Sequence, residues 1–191
     1  MSKVIAITNL SLDGVMQAPG RPDEDRRGGF AHGGWATPFA AMSQVGGTMA
    51  TTGALLFGRR TYEDFFAVWP PRKDSPFTAV LNNTPKYVAS TTLKEPLPWM
   101  NSTLLAGDAA PAVARLKNEL QGDLVILGSG ELIQSLMRRN LVDEYLLLIH
   151  PLVLGTGRRL FADGGAAATL RLVSSKATAN GVVIATYQPA G

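Results

Sequence analysis

The sequence predicts an α/β fold: a mostly parallel, mixed central sheet flanked by helices and closed by a C-terminal antiparallel hairpin. Three observations carry that prediction. Short apolar or β-branched runs alternate with segments of helical periodicity along most of the chain. Two of these runs end in glycine directly before a helical segment, at Phe57-Gly58-Arg59 and at Leu127-Gly128-Ser129-Gly130. Finally, Asn180-Gly181 separates two alternating stretches, Leu170 to Thr178 and Val182 to Gln188, the strongest short-range hairpin signal. The 191 residues read as one domain, 1–191, with no internal repeat, low-complexity stretch or second-domain boundary.

Residues 3 to 10 form the opening buried strand. The stretch from Ser11 to Gly34 is rich in Gly, Pro and charge and is longer than an ordinary connection, which marks a functional loop. Thr37-Pro38 supplies an N-cap and a proline at the first helical position, and Phe39, Met42, Val45 and Met49 recur at helical spacing, so a helix is expected over residues 38 to 50. Ala54 to Phe57 is a short strand ending at Gly58, and a helix from Arg59 to Phe66 is stopped by Trp69-Pro70-Pro71. A helical piece near Phe77 to Leu81 precedes strands at Lys86 to Ala89 and Thr103 to Ala106. Asp108 caps a helix whose inner face carries Val113, Leu116 and Leu120, with Gly122 as its stop. Leu124 to Leu127 is a buried strand, Glu131 to Arg139 a helix and Val142 to Ile149 a long central strand.

Composition excludes several functions. The 33 charged residues (18 Lys and Arg, 15 Asp and Glu) are few for this length and 46% of residues are apolar, a globular balance. Without cysteine there is no disulfide framework, zinc finger, iron–sulfur cluster or thiol nucleophile. The two histidines, His32 and His150, are not in a metal-binding spacing, and no metal is expected. No secretory leader pattern opens the chain and no apolar run is long enough to span a membrane, so a cytoplasmic protein without a membrane partner is expected. A net charge of +3, spread over the pairs Arg26-Arg27, Arg59-Arg60, Arg138-Arg139 and Arg158-Arg159, suits a small anionic ligand and not a nucleic acid.

Chemistry concentrates at the glycine junctions. Gly128-Ser129-Gly130, between a strand and a helix, aims free backbone N–H groups and the positive helix end at one spot, as a phosphate cradle does. Ile133 stands where a dinucleotide fingerprint would place its third glycine, and relief of backbone strain explains the turn equally well when it is taken alone. Gly58-Arg59-Arg60-Thr61 places two guanidinium groups at a helix start, where they oppose the helix dipole unless an anion lies nearby; a solvated arginine pair is the alternative. Ser90-Thr91-Thr92 offers hydroxyls at the carboxyl end of a strand, the edge where open α/β sheets bind ligands. Together these segments can bracket a pyrophosphate and an additional 2′-phosphate. Trp35, Phe39 and Trp69 are candidates for an apolar substrate pocket, with the core as their alternative, and His150 reads as a hydrogen-bonded structural histidine.

At this level the chain resembles the RibD C-terminal family, the reductase domain of riboflavin biosynthesis, which has a dihydrofolate reductase-like fold. The resemblance covers nearly the whole chain. It rests on Ser11-Leu12-Asp13-Gly14, Phe57-Gly58-Arg59-Arg60-Thr61-Tyr62-Glu63, Tyr87-Val88-Ala89-Ser90-Thr91, Leu127-Gly128-Ser129-Gly130-Glu131-Leu132, Val142-Asp143-Glu144-Tyr145, and His150-Pro151 with Leu154-Gly155-Thr156-Gly157. It implies a reductase using NADPH on a small-molecule substrate, and a homodimer paired through the strand near Leu146 to Ile149 or through the C-terminal hairpin. By the same resemblance the backbone of Ala6 meets the nicotinamide carboxamide, and Asp13-Gly14 lies on the loop over that ring, with Asp13 the nearest proton source. Arg59, Arg60 and Thr61 at the Gly58 turn hold phosphates, Ser90 and Thr91 lie near the 2′-phosphate, and Gly128, Ser129, Gly130, Glu131 and Leu132 wrap the pyrophosphate. The substrate side departs from the pattern: residues 38–50 hold no Asp or Glu, and Leu127 and Val15 stand where riboflavin-pathway reductases carry an acid and a base. Those departures leave the substrate open, and they keep a non-catalytic NADP(H)-binding regulatory or scaffold protein as the alternative reading.

Overall fold

A computed structural model describes residues 1–73 and 75–191. Strand β1 (Val4–Ser11) is followed by a long loop and by two 3-10 turns, Thr37–Phe39 and Ala41–Val45, that lead into the short helix α1 (Gly46–Ala50). Then come β2 (Thr52–Gly58), α2 (Arg59–Val68), α3 (Pro76–Asn83), β3 (Lys86–Ser90), β4 (Ser102–Ala106), α4 (Ala109–Glu119), β5 (Asp123–Leu127), α5 (Gly130–Met137), β6 (Glu144–His150), β7 (Leu170–Ala177) and β8 (Val183–Pro189).

Among the described residues eight strands form one sheet, in the order β4-β3-β2-β5-β1-β6-β8-β7. Pairing is parallel from β4 through β6 and antiparallel where β8 joins β6 and β7 joins β8. Chain order reverses beside β1, so the carboxyl ends of β1, β2 and β5 meet at a switch point, where α/β sheets open their ligand crevices.

Alternation along each strand sends its side chains to two cores. Ala6, Leu56 and Ile126 pack under α4 and α5 with Val113, Leu132 and Ile133. Ile7, Leu55 and Val125 face the opposite way, onto Tyr62 of α2, Leu81 of α3 and Trp99. The parallel strands read as continuous apolar runs because both faces are covered.

Two expectations are corrected. The helix expected over residues 38–50 is broken, because Ala40 adopts a left-handed conformation (φ 48°) and Thr37 donates its hydroxyl to the Gly20 carbonyl instead of capping a helix. Gly46-Gly47 then weakens continuous helix in the remainder. Gly122 does not stop α4, which ends at Glu119 with Leu120 already extended; with φ +93° it makes the turn into β5, where a Cβ would press on Thr51 and Gly53. Asp108 does cap α4, accepting from the Ala110 N–H at 3.1 Å.

The hairpin forms about Asn180-Gly181 as expected, with Gly181 at φ +81°. Residues Leu146–Ile149 lie inside the sheet with both edges taken, by β1 and by β8. They are therefore closed to strand pairing with a second copy, whereas β7 of the C-terminal hairpin is one of the two outer strands of the sheet, with β4.

Candidate functional site

A cleft of about 1500 Å3 runs along the carboxyl ends of the parallel strands. Two helices begin at its wall. Neither α2, preceded by Gly58, nor α5, preceded by Ser129, has a side-chain cap, so the first N–H donors of both helices and their positive ends are left to the cleft. The Ser129 hydroxyl accepts the Gly58 N–H at 3.0 Å, which ties the two glycine turns together across 71 residues of chain. The thioether of Met16 from the long loop sits against Gly130, so that a Cβ there would force the Met16 side chain to move.

Arginines from three segments converge on the same end. Glu131, in the first turn of α5, lies 3.6 Å from Arg27, 3.7 Å from Arg60 and 3.4 Å from Arg158. Arg59 pairs with Glu63 one turn along α2, at 2.9 Å. Thr61, Ser90, Thr91 and Leu132 complete this wall. The Ser90 hydroxyl is already committed, accepting the N–H groups of Thr92 and Leu93 at 3.1 and 3.0 Å, while Thr91 is exposed.

The other end is more apolar. Ile7 and Asn9 of β1 and Ala41 and Met42 share it with Phe65, Trp69 and Phe77. Arg72 lies over the Trp69 ring, 4.9 Å from its centre. Arg21 makes a two-pronged contact with Asp64, at 3.2 and 2.5 Å. Glu24 beside them makes no ion pair among the described residues. Burial holds its carboxyl above the usual range, and neighbouring Asp64 adds to the shift against the pull of the Gly20 and Arg21 N–H groups.

Of the residues expected at the site, Gly58, Arg59, Arg60, Thr61, Ser90, Thr91 and Gly128 to Leu132 all line the cleft. Five others do not. Ala6 is fully buried inside the sheet, and the cleft begins at Ile7 to Asn9. Gly14 accepts the Leu160 N–H through its carbonyl at 3.1 Å, which fastens the loop to the 151–169 segment. Asp13 is a brace: its carboxylate accepts from the Ser11 hydroxyl at 2.6 Å and from the N–H groups of Leu154 and Gly155 at 3.1 and 2.8 Å. The Ser11 bond foremost, with those N–H groups, holds Asp13 at about 2, so it does not supply the proton donor expected of it. Trp35 is buried with Phe30 and Val15 and donates its indole N–H to the Gln17 carbonyl at 2.8 Å. Phe39 packs on the core with its ring against His150. The aromatic residues that do face the cleft are Phe65, Trp69 and Phe77.

Sequence reading missed Asn9, Met16, Arg21, Glu24, Arg27 and Arg158. Each comes from a loop or strand end whose place at the cleft depends on tertiary contacts, such as the bridge between Val15 and Arg159 and the Arg158 N–H to Gln17 bond of 3.0 Å. The arginine pairs were the available signal, but nothing local shows that they converge.

Comparison with known proteins decides the family. The model of the RibD C-terminal domain matches residues 2–184. The chain belongs to the RibD C-terminal domain family. Uncharacterized protein YyaP of Bacillus subtilis (strain 168) is 31% identical over 139 residues, which covers 70% of this chain and 72% of that protein. Among solved structures, a putative riboflavin biosynthesis protein from Shewanella sp. PV-4 superposes with a TM-score of 0.71 at 20% identity, covering 99% of each chain. Dihydrofolate reductase from Enterococcus faecalis, complexed with NADP(H), superposes with a TM-score of 0.61 at 13% identity, over 99% of this chain and 97% of that one. This RibD C-terminal domain thus has the dihydrofolate reductase-like fold expected from its motifs. Among the described residues, no helix is long and apolar enough to cross a membrane.

Proposed function

We propose that residues 1–191 form a single NADPH-dependent reductase unit that passes a hydride to a small heterocyclic or carbonyl-type substrate. The observation that carries this reading is the pair of uncapped helix starts, at Arg59 and Gly130, opening into one cleft beside an arginine cluster in a RibD C-terminal domain. Free N–H groups and guanidinium groups so placed suit a ligand with several phosphates. The likeness to a dihydrofolate reductase complexed with NADP(H) supports the same choice.

Bound NADPH supplies the hydride itself. Gly128, Ser129 and Gly130, with the first N–H groups of α5, hold the pyrophosphate. Arg59, Arg60 and Thr61 hold phosphate at the start of α2, with Ser90 and Thr91 at the end of β3 beside the 2′-phosphate. The apolar wall of Phe65, Trp69 and Phe77 excludes water from the reacting ring. Glu24, whose carboxyl burial holds above the usual range, takes the place of Asp13 as the candidate proton source at the cleft. A second copy of the chain pairs along the exposed edge of β7, where Leu172 and Val173 are 50% and 45% exposed.

The test is a calorimetric titration with NADPH and then NADH. Micromolar binding that favours NADPH is the expected result. Binding of neither overturns the proposal, and binding without turnover across a broad set of carbonyl and heterocyclic compounds supports the regulatory alternative.

A further inference from the structure

His150 stands at the end of β6 with no exposed surface, yet among the described residues its ring has one hydrogen-bonding partner, Asn9, and its Nδ1 has none. Two aromatic residues pin it. Trp35 and Phe39 meet the imidazole edge to face, at 5.2 and 5.1 Å between ring centres and interplanar angles of 90° and 73°. Its Nε2 lies 2.9 Å from the Oδ1 of Asn9. Asn9 is half-buried on β1 and lines the cleft on the face that carries Ile7.

Burial holds the imidazole at about 4, so at neutral pH the ring carries one proton. That proton can reside on Nδ1 or on Nε2. On Nδ1 it would be a buried N–H with no acceptor, the rarer and costlier kind of orphan. On Nε2 it is donated to the Asn9 oxygen and only a bare ring lone pair is left enclosed. The Nε2–H form is therefore selected, and it fixes the orientation of the Asn9 amide. With Oδ1 accepting from His150, the Asn9 NH2 group is turned outward, where its one hydrogen-bonding partner among the described residues is the thioether of Met42 at 3.6 Å, a weak acceptor.

We infer that Asn9 is the polar recognition group at the apolar end of the cleft, donating to the carbonyl oxygen or ring nitrogen of an uncharged planar substrate, and that His150 is the positioning residue that keeps its NH2 facing outward. The inference deepens the proposed reductase function and rests on it for the word substrate; the subsite itself rests on the contacts above. It favours ligands that bring an acceptor and disfavours those that bring only a donor, because two donors facing each other leave both unsatisfied.

The test uses two small planar probes, N-methyl-2-pyridone, which carries an acceptor and no donor, and pyrrole, which carries a donor and no acceptor. Both are titrated into the whole protein while the Asn9 side-chain amide is followed by NMR. The pyridone is expected to bind at least about threefold tighter than pyrrole and to shift the Asn9 NH2 resonances downfield. Asn9→Leu should abolish the preference. His150→Leu should abolish it too, whereas His150→Gln, whose amide nitrogen stands in for Nε2–H, should restore it, a rescue that a merely structural histidine would not show. Thermal melts of each variant establish that it is folded, and imidazole nitrogen shifts in the wild type read the tautomer even if a variant fails to fold. An Nδ1–H tautomer, or equal binding of the two probes, overturns the inference. NADPH titrated separately keeps the readings apart: a preference without NADPH binding leaves the subsite standing and removes the reductase, and NADPH binding without a preference does the reverse.

Discussion

The end of the cleft at the two helix starts and its apolar end differ in which groups do the pointing. The first is centred on two local units, each a strand, a glycine turn and a helix start, in which backbone N–H groups do the pointing, with Arg27 and Arg158 brought in from other segments. The second is assembled from β1, the long loop, the broken 37–50 segment and the far end of α2, and side chains do the pointing. Backbone donors at a helix start are generic, serving any phosphate ligand, whereas a wall of side chains gathered from distant segments can be specific to one substrate. The contrast teaches where variation within such a fold can change the substrate without disturbing the cofactor.

The largest test of that contrast removes the charges at the generic end. Arg59→Ala with Arg60→Ala should weaken NADPH binding about 100-fold, as expected for two charge-assisted contacts, and NADH only a few-fold. Equal weakening measured by calorimetry would show that the turn does not meet the additional phosphate. Next in size is a change away from both ends. Lys86 is buried and donates to the carbonyls of Leu81, Asn82 and Thr84 at 2.7, 3.2 and 2.9 Å, closing the end of α3 beneath Trp99. Lys86→Met leaves the Leu81 and Thr84 carbonyls without their side-chain donor, while Asn82 keeps the Asn101 amide, and should lower Tm by about 5–10 °C with NADPH affinity unchanged. A change in affinity would mean that the cleft and this core are not separable.

Smaller effects sharpen the comparison. Glu131→Gln frees the Arg60 and Arg158 guanidinium groups from their internal carboxylate, Arg27 staying paired with Asp25, and should tighten NADPH binding about threefold, with a steeper dependence on salt. Acid titration separates the remaining two groups. His150 is held at about 4, below its ordinary 6.5, so its share of stability is complete above pH 6.5 and is lost as pH falls toward 4. Asp13 is held at about 2, below its ordinary 3.8, so its share is present above pH 4 and is lost as pH falls toward 2. Tm followed against pH should therefore fall in two stages. His150→Gln should flatten the upper one by about 5 °C, and Asp13→Asn the lower one by less, since that carboxylate is partly solvated.

Legibility in the sequence follows the same division. Gly58-Arg59-Arg60-Thr61 and Gly128 to Leu132 were readable because a strand ending in glycine before a helical pattern determines, within a few residues, where the N–H groups point. Asn180-Gly181 was readable for the same reason, since φ > 0 at a two-residue turn is a local demand. Trp35 and Phe39 were not. An aromatic residue satisfies a core and a pocket equally well, and Trp35 went to the core because the Gln17 carbonyl there accepts its N–H. Asp13-Gly14 has a turn signature that says nothing of Leu154 and Gly155, more than 140 residues away, which claim the Asp13 carboxylate.

By itself the sequence determined the class of fold, its two glycine junctions and its closing hairpin, because hydrophobic period and turn chemistry act over short stretches of chain. Only the tertiary structure decided that Arg27 and Arg158 join Arg60 around Glu131, that Asp13 braces a loop and Glu24 faces the cleft, and that His150 orients Asn9. Those decisions are made by contacts between segments far apart in the chain, and neither local propensity nor spacing carries information about which distant group will arrive.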